Sequence, residues 1–174
     1  MDEEDIDIDA YCAQRGLTPE DCAGCTRSMV GSIKIGYKKH LLLCLKTEPT
    51  SWIADITAEG VASRLSQAIK TLNAPFVLTG VHHEVEDASA DDLHIIVYPD
   101  AFIYTLPAAT ADFAPFMQEL LETTNDAPSM FPKMPAPWGT IILVCSHQAR
   151  DKRCGRAGPQ VIEEMRTHNW HSGG

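Results

Sequence analysis

Apolar residues recur along the chain with two different spacings, which predict alternating strands and helices. The run His40–Lys46 predicts a buried strand, and apolar positions across 61–72 follow one face of a helix. A second buried strand is predicted at Ala74–Val81. Together these three segments predict a βαβ unit.

A hairpin and a second helix are predicted next. Leu93–Tyr98 and Ala101–Leu106 are β-rich runs joined only by Pro99 and Asp100, which predicts antiparallel strands. Residues 111–123 predict a helix. Four of its residues are expected to face inward: Phe113, Phe116, Leu120 and Leu121. A βαβ unit followed by ββα is the element order of a thioredoxin-like domain, so we expect an α/β fold with all four strands in one sheet.

The last part of the chain begins with a segment, 125–138, that contains four prolines and predicts a linker. Thr140–Val144 then predicts a buried strand, Cys145–Gly158 a loop, and Pro159–His168 a helix that opens at its proline. A lone strand and helix cannot bury both faces of a sheet. They therefore predict either docking onto the first domain or the opening βα of a second one.

These patterns predict four segments. An acidic tail with a cysteine-containing segment covers 1–24, and the thioredoxin-like domain covers 25–125. A Pro-rich linker covers 126–137, and the start of a second domain covers 138–174.

Composition narrows the function classes. The chain has 174 residues and a net charge of −10, which disfavours nucleic acid and anionic membranes as main partners. No apolar run approaches the roughly 20 residues that span a bilayer, so we expect no membrane insertion. The acidic start is unlike a presequence, and a cytoplasmic location is expected. The six cysteines are then metal ligands, redox thiols or core residues rather than disulfides.

The segment Cys145–Pro159 carries the strongest chemical signal. Cys145 and Cys154 flank a loop that is predicted to leave a strand and enter a helix. Four cations lie in it: Arg150, Lys152, Arg153 and Arg156. Positive charge and a helix N-terminus favour thiolates, which are the metal-binding form of cysteine. Spacing and charge leave a second interpretation open, in which the cysteines are small core residues and the cations form a solvated face.

The same segment resembles the signature of the sucrase/ferredoxin-like family, of which the actin-patches-distal proteins are members. The family pattern is a strand, Cys, a His two positions later, Arg-Asp-x-Arg-Cys-Gly, and Gly-Pro. The matching residues are Cys145, His147, Arg150, Asp151, Arg153, Cys154, Gly155, Gly158 and Pro159. Upstream, Tyr37–His40, Thr50–Trp52 and Cys22–Cys25 resemble the family's first strand, its Trp-containing turn and the segment before them.

This resemblance implies a thioredoxin-like ferredoxin, an electron-transfer or redox protein with an unidentified redox partner. It implies a 2Fe–2S cluster held by Cys145 and Cys154 and by two histidines of a later HxxxH. Only His168 and His171 follow Cys154, so we expect the chain to stop before that pair and to hold a cluster weakly or not at all. Imidazole ligands would raise the reduction potential above that of an all-cysteine cluster.

Other interpretations remain at this point. Cys22 and Cys25 form a CxxC that fits half a zinc site, a redox dithiol or a structural role, so a metal-free thiol oxidoreductase or a zinc-binding interaction domain is the alternative function. Cys44 is expected in the core, and His82 and His83 in solvent. No carboxylate pair supports sucrase chemistry, so no enzymatic activity is assigned.

Overall fold

The computed structural model describes residues 36–83, 85, 89, 91–122 and 128–168, and four residues nearer the N-terminus (13, 14, 16 and 18). These residues form a mixed α/β fold with a five-stranded sheet and three helices. They divide into two compact units. The sheet unit contains 36–48 and 55–142. The loop–helix unit contains 49–54, 143–168 and the four described residues nearer the N-terminus.

The helices and strands alternate through most of the described chain. The strands are β1 (Lys39–Leu45), β2 (Phe76–His82), β3 (Asp92–Tyr98), β4 (Phe102–Pro107) and β5 (Lys133–Pro135). The helices are α1 (Gly60–Thr71), α2 (Ala114–Glu122) and α3 (Lys152–Thr167).

The sheet has the strand order β2-β1-β3-β4-β5. β1 and β2 are parallel, with Leu41 opposite Leu78, as a strand–helix–strand crossover requires. β3 lies antiparallel to β1 and to β4, with Ile95 opposite Tyr104 in the hairpin. The predictions of a βαβ unit and of an antiparallel hairpin in the same sheet are therefore confirmed.

One face of the sheet forms the main core against α1 and α2. Alternate residues of β1 and β3 point to this face because side chains alternate along a strand. The core residues from these strands are Leu41, Leu43, Leu93, Ile95 and Val97. The helices add Leu65, Phe116, Met117 and Leu120, and Phe113 adds to the core from just before α2. The prediction for Leu121 is wrong: it is 42 % exposed, while Met117 is fully buried. Leu121 lies at the margin of the stripe that repeats every 3.6 residues.

The opposite face of the sheet carries a smaller cluster of Leu42, Cys44, Ile96 and Ile103. Trp138 packs on this cluster, and its carbonyl oxygen accepts a hydrogen bond from the Tyr98 hydroxyl at 3.4 Å. Both faces of the sheet are thus covered from within the sheet unit, which agrees with the apolar character of β1 on both sides.

The Pro-rich segment 126–137 is more than a linker, because it contains β5. Thr105 donates its backbone N–H to the Pro132 carbonyl at 2.9 Å, and Ala136 donates to the Ala101 carbonyl at 2.7 Å. A proline lacks an N–H and is tolerated on an edge strand, where one side of the backbone needs no partner. The four prolines therefore predicted a linker in a segment that contains a short edge strand.

The strand predicted at Thr140–Val144 does not form. No strand in the described part of the chain pairs with this segment, and Ile142 and Leu143 are 59 % and 48 % exposed. An apolar run becomes a strand only where a neighbouring strand completes its hydrogen bonds. Of the predicted opening βα, the helix is present and the strand is not. None of the described helices combines the length and apolarity needed to cross a membrane.

Candidate functional site

The helix α3 begins at Lys152, seven residues before the predicted start at Pro159. Asp151 is its N-cap: the Oδ1 atom accepts a hydrogen bond from the backbone N–H of Arg153 at 2.9 Å. The Arg153 guanidinium also donates to both carboxylate oxygens, at 3.0 and 2.6 Å. These side-chain hydrogen bonds from Arg153 are the main reason that the pKa of Asp151 lies below its ordinary value. The Arg-Asp-x-Arg pattern therefore fixes the start of the helix.

Two glycines let α3 lie directly against the loop that carries Cys145. A Cβ atom placed on Gly155 would lie 2.6 Å from the Cα of Gln148. One on Gly158 would lie 2.8 Å from the Cα of Ser146 and closer still to the carbonyl oxygen of Cys145. Residues three apart share one face of a helix. Gly155 and Gly158 thus form a smooth face on which residues 145–148 rest.

This packing brings Cys145 and Cys154 together. Cys145 is exposed on the loop, Cys154 is half-buried in the first turn of α3, and neither forms a disulfide. The Cys145 thiol is near enough to act on the pKa of Cys154 through a hydrogen bond and through its charge. The loop and the helix therefore present one pair of neighbouring thiols.

The protonation of Cys154 differs from the expectation based on the sequence. Burial raises the pKa of Cys154 to about 11, and the hydrogen bond and charge of Cys145 and the charge of Asp151 act in the same direction. Arg153 alone opposes them. The expected thiolate is therefore wrong for Cys154 without a metal. Burial and the nearby thiol outweigh the cations, and a bound metal would have to displace the proton.

His147 has a positioning role in the loop–helix unit. Its Nε2 atom donates to the carbonyl oxygen of Ile53 at 2.8 Å, and its ring packs edge-on against Trp52 with 5.7 Å between ring centroids. The turn before Ile53 is a short 3-10 helix, Pro49–Ser51. The histidine of the signature thus ties the cysteine loop to the Trp-containing turn.

The thiol pair does not gather a complete set of metal ligands among the described residues. In that part of the chain no group of three or more His, Cys, Asp or Glu side chains could hold a metal ion. A 2Fe–2S cluster needs four protein ligands. Cys145 and Cys154 match the two-cysteine half of the set implied by the resemblance, and the described residues supply no second half.

Four other residues considered as possible ligands lie away from this pair or outside the described residues. His168 is the C-cap of α3, and its Nε2 atom lies 3.0 Å from Oε1 of Glu164. It follows Cys154 by 14 residues, about 21 Å along a helix. His171, Cys22 and Cys25 lie outside the described residues.

Cys44 and His83 belong to the sheet unit. Cys44 is 9 % exposed, and burial raises its pKa to about 12, so the prediction of a core residue is confirmed. His82 is exposed, as predicted. His83 is not simply solvated: its ring packs edge-on against Trp138 at 4.9 Å, and burial lowers its pKa.

A comparison with protein families shows which family contains this site. The model of the sucrase/ferredoxin-like family matches residues 29–172. The chain belongs to the sucrase/ferredoxin-like family. The match contains Cys145, Cys154 and the two helix glycines but not Cys22 and Cys25. No curated protein and no solved structure matches the chain.

Three features of this sucrase/ferredoxin-like site were missed from the sequence alone. They are the N-cap role of Asp151, the packing role of the two glycines, and the contact between His147 and Ile53. Asp before a helical run is an N-terminal signal that the sequence does contain. The His147–Ile53 contact joins residues 94 positions apart, and no local pattern reveals it.

Proposed function

We propose that this protein is an iron–sulfur redox protein in which Cys145 and Cys154 are two of the ligands of a 2Fe–2S cluster. The observation that carries the proposal is the pairing of the two thiols on a loop held against a glycine face. One of the thiols is exposed, as a centre that exchanges electrons with another protein requires. Family membership adds the ferredoxin-like character.

The local structure supports metal binding more than solitary thiol chemistry. A raised pKa keeps Cys154 protonated at neutral pH, which makes it a poor nucleophile. If Cys154 coordinated iron, its thiol would be deprotonated by the metal, and the raised pKa would be no obstacle to binding. When bound, the cluster would supply one-electron transfer. The residues of the chain would hold the cluster at the surface, and the packing of the loop against α3 would limit the motion of the cluster.

The fold proposal follows from the sheet order. The arrangement β2-β1-β3-β4, with a parallel first pair and an antiparallel hairpin, supports a thioredoxin-like sheet unit. β5 extends that sheet at the β4 edge. The helix α3 supports the cysteine loop in the same way whether or not it belongs to a second domain of that kind.

One observation favours a second candidate function, a metal-free dithiol redox protein. Cys145 and Cys154 are both free and adjacent. Their oxidation would form one S–S bond and release two protons and two electrons to a disulfide or peroxide acceptor. The raised pKa of Cys154 slows such exchange, because the thiolate is the reacting species.

Anaerobic reconstitution with iron and sulfide tests the cluster proposal. The chain would be reconstituted with and without imidazole, which supplies nitrogen donors beyond the two thiolates. We expect visible absorption, bound iron and acid-labile sulfide, and imidazole should increase all three. The C145S and C154S variants should each lose most of the bound iron.

The matched control is C44A, which removes a cysteine from the core of the sheet unit. It should bind as much iron as the parent chain. Iron uptake that persists in C145S or C154S, or a colourless parent chain even with imidazole, would contradict the cluster proposal. A colourless chain that forms a Cys145–Cys154 disulfide on mild oxidation would favour the dithiol protein instead.

A further inference from the structure

The face of the sheet that carries the smaller cluster, which we call the second face, also holds a buried histidine. Side chains alternate along β3, so His94 lies on the same face as Ile96 of that cluster. His94 is 6 % exposed. Its Nδ1 atom lies 3.2 Å from the hydroxyl oxygen of Thr105, and its Nε2 atom has no hydrogen-bond partner among the described residues. Burial without a partner penalises a charged group far more than a neutral one. This arrangement therefore suits a neutral His94.

A segment that follows β5 covers part of the second face. We call residues 136–141 the Trp138 strap. Three of its side chains pack on the smaller cluster: Ala136, Trp138 and Ile141. The Trp138 ring also packs edge-on against the His83 ring, with 4.9 Å between centroids. The strap is therefore held by apolar contacts and by a neighbouring histidine.

His83 and His94 are both easier to keep neutral than an exposed histidine. Burial is the main reason that the pKa of each is lowered. The charge of His82 adds to this effect at His83. At His94, Asp92 favours the protonated form, whereas Lys46 and His83 oppose it through their charges. His83 thus lies near enough to His94 for protons on the two rings to repel each other.

Three other titratable side chains lie on the second face. Burial raises the pKa of Cys44 to about 12 and also raises the pKa of Tyr98, so both are neutral in acid. Burial lowers the pKa of His40, whose Nε2 atom lies 2.8 Å from the Thr79 hydroxyl. A protonated His40 can donate to that hydroxyl, whereas the described residues offer no acceptor to the Nε2 proton of His94.

We propose that the Trp138 strap is an acid-sensitive clasp, which is closed while His83 and His94 are neutral and is released when they bind protons. A proton on Nε2 of His94 needs water as its acceptor, and release of the strap admits water to the second face. Both pKa values are lowered in the closed state, so closure is fully favoured above the ordinary value of 6.5. It is lost progressively as pH falls below that value. The clasp involves no metal, so its test is independent of the cluster proposal.

Fluorine NMR of the full chain labelled with 5-fluorotryptophan tests the clasp. The chain has three tryptophans, and the W138F variant identifies the resonance of Trp138. The change in chemical shift between H₂O and D₂O measures the solvent exposure of that ring. We expect a small isotope shift above pH 6.5. It should rise to that of an exposed indole at about pH 5, while far-ultraviolet circular dichroism stays constant.

Three substitutions separate His94 from the other histidines of this face. H94N keeps a polar group beside Thr105 and removes the Nε2 atom, and H94F replaces the ring with an apolar one. In both variants the strap should stay closed at about pH 5. The matched control is H40Q, which removes a histidine of the same face whose Nε2 atom has a partner. H40Q should release the strap as the parent chain does.

Four results would overturn the proposal. They are an isotope shift of Trp138 that is constant with pH in the parent chain, release that persists in H94N and H94F, release that H40Q abolishes, and loss of circular dichroism in step with the isotope shift. The last would show acid unfolding of the whole sheet. If neither variant of His94 folds at neutral pH, titration of the His94 ring in the parent chain decides, because its midpoint must coincide with that of strap release.

Discussion

The sheet unit and the loop–helix unit are stabilised by different means. The sheet unit buries large apolar side chains on one face, including Phe113, Phe116 and Leu43. Among the described residues of the loop–helix unit, only Ser146 and Gly158 are buried. Its structure depends on an N-cap, an ion pair and two glycines. The comparison indicates that the sheet unit supplies stability and that the loop–helix unit supplies the candidate chemistry.

The largest expected effect of a substitution is in the sheet unit. Phe116 is 1 % exposed and contacts Tyr104 and Phe131 edge-on. F116A should lower the free energy of unfolding by about 3–5 kcal/mol, because it removes buried area and leaves a cavity. Urea denaturation followed by circular dichroism measures this change. V161A, at an exposed position of α3, should change stability by less than about 0.5 kcal/mol. If F116A and V161A lowered the free energy of unfolding by the same amount, the proposed difference in how the two units contribute to stability would be contradicted.

A smaller change in stability is expected when Gly158 is substituted, and its sign tests whether the loop packs on this residue. Alanine in place of glycine inside a helix is ordinarily stabilising by about 1 kcal/mol. G158A should instead destabilise the loop–helix unit by about 1–3 kcal/mol, because the added Cβ would overlap the loop at Cys145 and Ser146.

The control for Gly158 is A157G at the preceding residue of α3, which weakens the helix without adding an atom. Disulfide yield between Cys145 and Cys154 under mild oxidation measures the separation of loop and helix. G158A should lower this yield and A157G should not. A stabilised G158A with an unchanged yield would show that the loop does not rest on Gly158.

The smallest of these effects concerns Asp151. D151A should lower the free energy of unfolding by about 1 kcal/mol because the N-cap is lost. D151N should keep most of the stability of the parent chain, because asparagine is also a good N-cap. The pKa of Asp151 is lowered in the folded state, so its carboxylate stabilises the protein fully above the unfolded value of 3.8. That contribution is lost as pH falls through the lower folded pKa. Helicity measured against pH should show this acid-dependent loss in the parent chain and not in D151N; identical curves would contradict the role of the carboxylate.

The sheet unit was largely predictable because its elements are regular. The apolar runs of β1 and β2 and the 3.6-residue spacing of α1 follow directly from burial. The edge strand β5 was not predictable in this way, since it has only three residues, one of them a proline, and so short a segment carries no periodic signal. The strand prediction for residues 140–144 was wrong for the opposite reason. Their apolar run is typical of a strand, but a strand forms only where a partner strand pairs with it, and the local sequence does not reveal that partner.

In the loop–helix unit, the sequence indicated the candidate cysteine pair but not the structure that holds it. Cys145 and Cys154 were singled out by residue type and by the family signature, whereas the start of α3 was misplaced. The sequence predicts Pro159 as the first residue of the helix, but Pro159 lies inside α3, where it has no N–H to donate to the carbonyl of Gly155. The true N-cap is Asp151, and its role depends on the conformation of the loop.

The central claim is that Cys145 and Cys154 act as one two-thiolate site. Titration of the reduced, metal-free chain with Co²⁺ tests it directly, because thiolate coordination produces a charge-transfer band in the near ultraviolet. We predict that C145S and C154S each abolish most of this band, and that C44A and C22S/C25S retain it. A band that survives C145S and C154S but is lost in C22S/C25S would place the metal-binding thiols elsewhere and contradict the claim.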